Sequence, residues 1–486
     1  MPSTAAPWLA AIAMLALALF SPGLLSDGDT FWHLATGEWI IGHGAVPHSD
    51  PFSLTHAGAD WTAHEWLAEV AMAAAMRAGG WGGLLVLTAG AAAVAFFQLA
   101  RHLGRWLPAG AVLLLALLAA ACVSPVLLAR PHILALPFLE AWVAGLFIAR
   151  SAGRAPSWSL LPVMCVWANM HGGFIIGLLL VVPLALEAAL ATPEAWRDVL
   201  VRWGGFLLAA VAAGLVTPHG WAGLLFPFQL AGVLDLSMIQ EWQPLNFGTL
   251  QPLELVLMAG LYFALTRGAR LPPVRLLILL GLLHMALGHA RHQLLVGMIV
   301  PLLLAEPLGA ALSTARAGGW PRWTGRRTLV GGFGLAGGLV ALRLVLPSAP
   351  GDGDPFPAAA LAHVPAALAA QPVFNGYSFG GYLIYAHVRP LIDGRADMYG
   401  SPFLHEYMAM AASTAALEKA FQTYRIRWTL LSPASPAVAL LDSMPGWCRL
   451  YADKVAVVHA ASCEGQRSAA AEGQAAEPAA QTRALR

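Results

Sequence analysis

Apolar and polar residues alternate along this chain in long blocks. Apolar runs cover roughly 7–25, 81–100, 108–125, 132–149, 158–170, 173–190, 203–217, 252–266, 273–288, 292–310 and 328–346. Crossing the hydrocarbon core takes about 20 apolar residues in helix, so the pattern predicts about eleven membrane-spanning helices. The fifth run is short, and its polar end at Asn169 and His171 predicts a helix that stops inside the protein. Beyond residue 347 the pattern changes. Pro372-Val373-Phe374, Trp428–Leu431, Cys448–Tyr451 and Val455–Val458 are expected to be short strands, and Ser401–Phe421 helical. The expected fold is mainly α: a polytopic membrane protein with a small C-terminal α/β domain on the outer face. Its divisions are a transmembrane domain over 1–346 carrying an outer loop over 26–80, the α/β domain over 347–463, and a disordered Ala/Gly/Gln-rich tail over 464–486.

Composition sharpens this. Of 486 residues, 58% are hydrophobic and 11% charged. A soluble domain carries roughly 25% charged residues, so a soluble enzyme and a disordered chain are both excluded. The net charge of +1 offers nothing to a nucleic acid. No CxxC and no GxxxxGK[ST] occurs, which disfavours cysteine metal sites and ATP-driven pumps. The first apolar run lacks a basic flank and a small-residue cleavage site, and is expected to be retained as a helix. Arginines follow every second run: Arg101 and Arg105, Arg150 and Arg154, Arg197 and Arg202, Arg267, Arg270 and Arg275, then Arg316, Arg322, Arg326 and Arg327. The positive-inside rule puts these loops and the N-terminus in the cytoplasm. The long polar loops 26–80 and 218–251, and everything after about 347, then face outward.

The first outer loop is acidic. Residues 26–69 carry Asp27, Asp29, Glu38, Asp50, Asp60, Glu65 and Glu69, with no Lys or Arg among them. Phe31–Ile41 is expected to form an amphipathic helix in the membrane interface, with Asp27 and Asp29 at headgroup level. One aspartate in such a place can act as a general base on an acceptor hydroxyl. The other could hold a divalent cation, Mg or Mn, that binds a phosphate. Alternatively Asp29 or Thr30 caps the helix that starts at Phe31. His64 and Glu65 stand at the mouth of a further helix, His64 being either a ligand or a surface histidine.

This order of features resembles the GT-C integral-membrane glycosyltransferases: one span, an acidic outer loop opening with Asp-x-Asp, many spans, then an outer α/β domain. The segment Asp27-Gly28-Asp29-Thr30-Phe31-Trp32-His33-Leu34-Ala35-Thr36-Gly37 is similar to a signature of uncharacterised bacterial proteins of this type. So are Asn169–Gly173, Thr217–Trp221 and Ile392-Asp393-Gly394-Arg395-Ala396-Asp397. The resemblance implies a polyprenyl-phosphate sugar as donor and a glycan, lipid or protein acceptor. It further implies a bacterial inner-membrane location and catalysis by Asp29 with Asp27 as helper. The Asp-Glu pair of the O-mannosyltransferases and the WWDYG of oligosaccharyltransferase are absent. Asn375–Tyr382 occupies a place loosely similar to the latter.

Other polar groups on the expected outer side fit a donor phosphate. Arg130 with His132, and Arg291 with His289 or His292, are two cationic clusters at helix ends. The alternatives are a salt bridge from Arg130 to a first-loop acid and snorkelling of Arg291. His171, beside Gly172-Gly173, lines a cavity or serves as a packing histidine. Together with His33, His64 and Glu65 it is a candidate for the acceptor side. Glu241-Trp242 could close over an acceptor or anchor the aromatic belt. Two other functions compete: a lipid or polysaccharide transporter, and a non-catalytic assembly factor on the same scaffold. No internal repeat supports transport.

Overall fold

The computed structural model describes residues 5–233, 240–267, 270–312, 326–350 and 356–461. The expected tail over 464–486 and Cys463 lie outside them. The chain divides into two compact units. The first holds residues 1–27, 36–48 and 62–349; the second holds 28–35, 49–61 and 350–486.

In the first unit, α1 (Ala6–Leu19) is followed by a 3-10 turn at Pro22–Leu25. The helix α2 (Asp29–His43) contributes its C-terminal part to this unit and its N-terminal part to the second. Next come α3 (Trp66–Leu103), α4 (Ala109–Val123), the single turn α5 (Pro131–Leu134) and α6 (Leu136–Ser151). The series continues with α7 (Leu160–Met170), α8 (Phe174–Leu190), α9 (Trp196–Gly214) and α10 (Trp221–Val233). It ends with α11 (Pro252–Arg267), α12 (Pro273–Gly288), α13 (Gln293–Ala311) and α14 (Arg326–Val345). Each expected apolar run contains a helix. The stretch 218–251, expected to be an outer loop, contains one more, α10, because Trp221–Val233 is almost wholly apolar and its Pro227 is tolerated inside it.

Three helical stretches are long and apolar enough to cross a membrane by length and composition: Trp66–Leu103, Ala109–Val126 and Ala290–Ala311. The remaining apolar helices are shorter. The expectation of about eleven spans therefore meets three that satisfy the length criterion among the described residues. Large apolar side chains point outward on several helices, among them Leu208 at 75% and Leu265 at 77% exposure. Water would not wet such a surface cheaply, whereas lipid would.

The longest helix is broken. Gly80 takes φ +57° and ψ −149°, a conformation open to glycine alone, so α3 is two helices joined at Gly79-Gly80. The second piece starts where the apolar run begins, at residue 81. α1 packs along α3, and Trp8 meets Phe97 and Phe333 edge-on at 5.0 and 4.8 Å. An ion-pair network centred on the buried Arg275 and Glu187 ties four helices together. Arg275 reaches Glu187 at 3.1 Å and Glu306 at 2.9 Å, and Arg150 reaches Glu187 at 3.0 Å. Arg275, expected in a basic loop, is thus buried in the first turn of α12.

The second unit is a small α/β fold. Helices α15 (Ala358–Ala362) and α16 (Ala366–Ala369) precede β1 (Val373–Asn375). Then follow α17 (Gly380–Tyr385), α18 (Ala396–Met410), α19 (Thr414–Tyr424), β2 (Trp428–Leu431), α20 (Pro436–Ser443), β3 (Trp447–Ala452) and β4 (Val457–Ala461). The sheet order is β1-β2-β4-β3, with β1 parallel to β2 and the other pairs antiparallel. The four expected strands are present. The stretch Ser401–Phe421 is shared by two helices, because Ser413 accepts a hydrogen bond from Ala416 N and caps a new start. Val373, Leu383, Trp428, Leu430 and Val458 form the core.

Two first-loop segments belong to this unit. Phe31 stacks edge-on against Phe356, Tyr382 and Tyr385 at 4.4, 5.2 and 5.4 Å. Phe31 and Leu34, expected at the lipid interface, are therefore buried in protein at 1% exposure each. Residues 49–61 are strapped on by Leu54 N donating to Pro390 O and Thr55 Oγ1 donating to Leu391 O, each at 2.8 Å.

Candidate functional site

The polar groups of the first unit gather where helix ends meet. Arg130 precedes α5 with an extended backbone, φ −132° and ψ 161°, and Pro131 presets the turn after it. Its neighbour Ala129 donates to Leu24 O at 2.8 Å, which holds the segment beside the end of α1. Arg291 lies on a 3-10 turn, Ala290–His292, between α12 and α13. A second 3-10 turn, Gln240–Trp242, docks on it: Ala290 N donates to Gln243 O at 2.9 Å, and His289 Nδ1 lies 2.7 Å from Trp242 O.

These contacts put Glu241 between two arginines. Arg130 Nη1 donates to Glu241 Oε2 and Arg291 Nη1 to Glu241 Oε1, both at 3.0 Å. Arg130 Nε lies 3.4 Å from Asp27 Oδ2, and the Arg291 guanidinium sits 4.5 Å from the centre of the Trp242 ring. Burial alone would raise the Glu241 carboxyl, but the charges of Arg130, Arg291 and His132 bring it down to about 2. Glu241 is thus a carboxylate at every physiological pH.

A second cluster adjoins the first. Glu65 stands before α3, with His171 Nε2 at 3.5 Å and His64 Nε2 at 3.7 Å from its Oε1. Burial pushes the Glu65 carboxyl up to about 7, against the pull of Arg130 and Arg291 and with Glu241 adding to it. Burial likewise holds His171 well below the usual imidazole range, helped by His132 and Arg291. His171 ends α7 in extended conformation, and its Nδ1 accepts from Gly173 N at 3.0 Å. His64 lies over Phe226 of α10, ring centres 4.2 Å apart. An apolar groove of about 450 Å³ runs past this cluster, lined by Trp66, Leu67, Asn169 and Val216 among others.

Asp29 and His33 belong to the second unit. Asp29 opens α2 and lies in its first turn, so the helix starts one turn position earlier than a cap at Asp29 or Thr30 would give. His33 is buried beside Trp32, ring centres 3.6 Å apart. Neighbouring them is a fully buried charge group. Arg395 binds Asp393 with two nitrogens, Nε to Oδ1 at 2.8 Å and Nη2 to Oδ2 at 2.7 Å, and Asp50 with Nη1 at 2.7 Å. Tyr399 adds a hydrogen bond to Asp393 at 2.7 Å. Trp61 and Phe52 flank the guanidinium at 4.8 and 5.3 Å.

Of the residues singled out in the sequence, Asp27, Arg130, His132, Glu241, Trp242, Arg291, His292, His64, Glu65 and His171 all lie in the first unit, joined by the contacts above. Asp29 and His33 are in the second. The first-loop acids also have cationic partners that the loop itself lacks: Asp27 has Arg130, Glu38 has Arg77, and Asp50 has Arg395. Asp27 faces a guanidinium, and among the described residues no group of three His, Cys, Asp or Glu can hold a metal ion. Asp50, Asp393, Gly394 and Tyr399 had no assigned role. The signal available for them was an Asp-Gly-Arg in a segment otherwise destined for burial, since a buried arginine demands carboxylates.

The fold is similar to those of a solved oligosaccharyltransferase and of ArnT. The oligosaccharyltransferase of Archaeoglobus fulgidus without ligand superposes with TM-score 0.50 at 12% identity, over 87% of this chain and 69% of that one. The same enzyme tethered to an acceptor peptide containing the NVT sequon gives TM-score 0.52 at 12% identity, over 94% and 74%. ArnT from Cupriavidus metallidurans bound to undecaprenyl phosphate gives TM-score 0.52 at 13% identity, over 94% of this chain and 97% of that one. No protein-family model matches the chain, and no curated protein sequence matches it.

Proposed function

We propose that the protein is a glycosyltransferase that moves a sugar from a polyprenyl-phosphate carrier to an acceptor hydroxyl on the outer face of the cytoplasmic membrane. The observation that carries this is the meeting of Arg130 and Arg291 on the two oxygens of one carboxylate, each at 3.0 Å. A phosphate presents the same pair of acceptor oxygens with more charge, so the two arginines form a phosphate fork that Glu241 fills. Glu241 sits on a three-residue 3-10 turn, and a rotamer change would release both guanidinia. The shared fold with an undecaprenyl-phosphate-bound transferase supports the same reading.

In the reaction, Arg130 and Arg291 hold the donor phosphate and stabilise it as it leaves. Asp29, two residues along the chain from Asp27, takes the proton of the acceptor hydroxyl as its oxygen attacks the anomeric carbon. Direct displacement inverts that carbon. Asp27 keeps Arg130 oriented. His64, Glu65, His171 and Trp242 of the first unit are assigned to the acceptor. Binding of undecaprenyl phosphate to the purified protein tests the fork. Arg130→Gln and Arg291→Gln should each weaken it at least tenfold, and unchanged affinity in both would remove the assignment.

A further inference from the structure

We infer that Gly394 is a positioning residue for the Asp29 carboxylate, and that the buried Asp50–Arg395–Asp393 group exists to hold it there. The inference rests on Asp29 being the base proposed above. Gly394 needs no glycine for its backbone, which does not enter the left-handed region. It needs one for space: a Cβ built there would overlap Asp29 Oδ1 and lie 2.9 Å from Asp29 Cγ and 3.2 Å from Trp32 Nε1. The carboxylate therefore rests against the bare face of this peptide.

That peptide cannot retreat. Asp393 on one side and Arg395 on the other are locked to each other and to Asp50 by ion pairs of 2.7–2.8 Å, all without solvent exposure. Arg395 N also donates to Asp393 Oδ1 at 3.0 Å. Asn375 on β1 holds the backbone just before this peptide, accepting from Leu391 N and donating to Ile392 O at 2.8 Å each. Tyr377 Oη donates to Gly394 O at 3.3 Å. On the helix side, Gly381 abuts Gly28, where a Cβ would overlap the Gly28 carbonyl oxygen. The segment before the peptide at 394 is thus held from β1, and the start of α2 abuts α17. A methyl group at 394 has one soft neighbour to push, the end of the Asp29 side chain. This explains why Arg395 is worth burying: it fixes a surface against which a carboxylate is aimed.

The test is a double-mutant cycle of Gly394→Ala and Asp29→Ala, read by sugar transfer from a panel of undecaprenyl-phosphate-linked sugars and by thermal melting of the full chain in detergent. Gly394→Ala should lower kcat by about 100-fold with donor KM within about twofold, the pattern of a displaced catalytic group. In the Asp29→Ala background the same change should cost less than about twofold, because its target is gone. Melting reports the contact without any activity. Any loss in Gly394→Ala should vanish in the double variant, which should melt with Asp29→Ala, even if Gly394→Ala alone fails to fold. Additive losses in both readouts would overturn the inference, as would wild-type transfer by Gly394→Ala. Wild-type transfer by Asp29→Ala would instead remove the base assignment, and this inference with it.

Discussion

At the scale of single residues, two carboxyls in one unit are driven in opposite directions. Glu65 is buried and rises to about 7, and Glu241 is held by two guanidinia at about 2. The signs of their linkage differ accordingly. For Glu65 the folded value lies above the ordinary 4.5, so it costs nothing at acid pH, and its cost grows between 4.5 and 7 and stays beyond. Glu65→Gln should therefore melt like the wild type near pH 4.5 and above it at pH 8; the reverse trend would reject the buried carboxyl. Glu241 has a folded value below 4.5. Its contribution is present above the ordinary value and is lost as pH falls toward 2, so Glu241→Gln should destabilise the protein at pH 7 and lose that effect in acid. Asp29→Asn keeps the shape of the side chain and removes the proposed base. A general base contributes roughly 10²–10⁴-fold, so transfer should fall by that order while undecaprenyl-phosphate affinity stays within about twofold.

Among elements, the structure relies on close approaches and on buried charge. α2 and α3 meet at Gly37, where a Cβ would overlap the Glu69 carbonyl oxygen and lie 2.8 Å from Ala73 Cβ. Gly37→Leu forces these helices apart and should cost about 1–3 kcal/mol or more, measured as a lower melting temperature. The segment 49–61 depends instead on Asp50, whose carboxylate takes Phe52 N at 2.9 Å, Ser53 N at 3.0 Å and Arg395. Asp50→Ala leaves Arg395 buried with one partner fewer. Breaking a buried pair this way costs about 3–5 kcal/mol. Limited proteolysis should then cut within 49–61 well before the core strands, and a cleavage pattern like that of the wild type would contradict the strap.

On the scale of the whole molecule, the apolar outer surface and the arginine pattern make one prediction about orientation. Single cysteines replacing Arg101, Arg154 and Arg270 should resist a membrane-impermeant thiol reagent on intact cells. Cysteines replacing Asp60, Trp242 and Lys454 should react. Labelling at position 270 from outside would break the topology. Placed outward, the second unit meets an oxidising compartment. Its hairpin sets Cys448 opposite Ala460.

The division between what was legible and what was not follows from the range of the forces. Apolar periodicity, glycine breaks and strand signals act over a few residues. The helices and the four strands were therefore readable from the sequence. Asp27, Arg130, Glu241 and Arg291 announce themselves because charge near an apolar run is costly and needs a reason. The pairing of those charges is a matter of long-range contact. The loop 26–69 has no cation of its own, and its partners Arg77, Arg130 and Arg395 come from α3, from the start of α5 and from the far end of the chain. Tertiary structure alone decided that Phe31 and Leu34 bury in protein, that Arg275 leaves its loop for Glu187, and that Gly394 is bare because a carboxylate from 365 residues earlier in the sequence rests on it. No local pattern encodes these, since the energy of a buried ion pair or a close approach depends on which two distant segments meet.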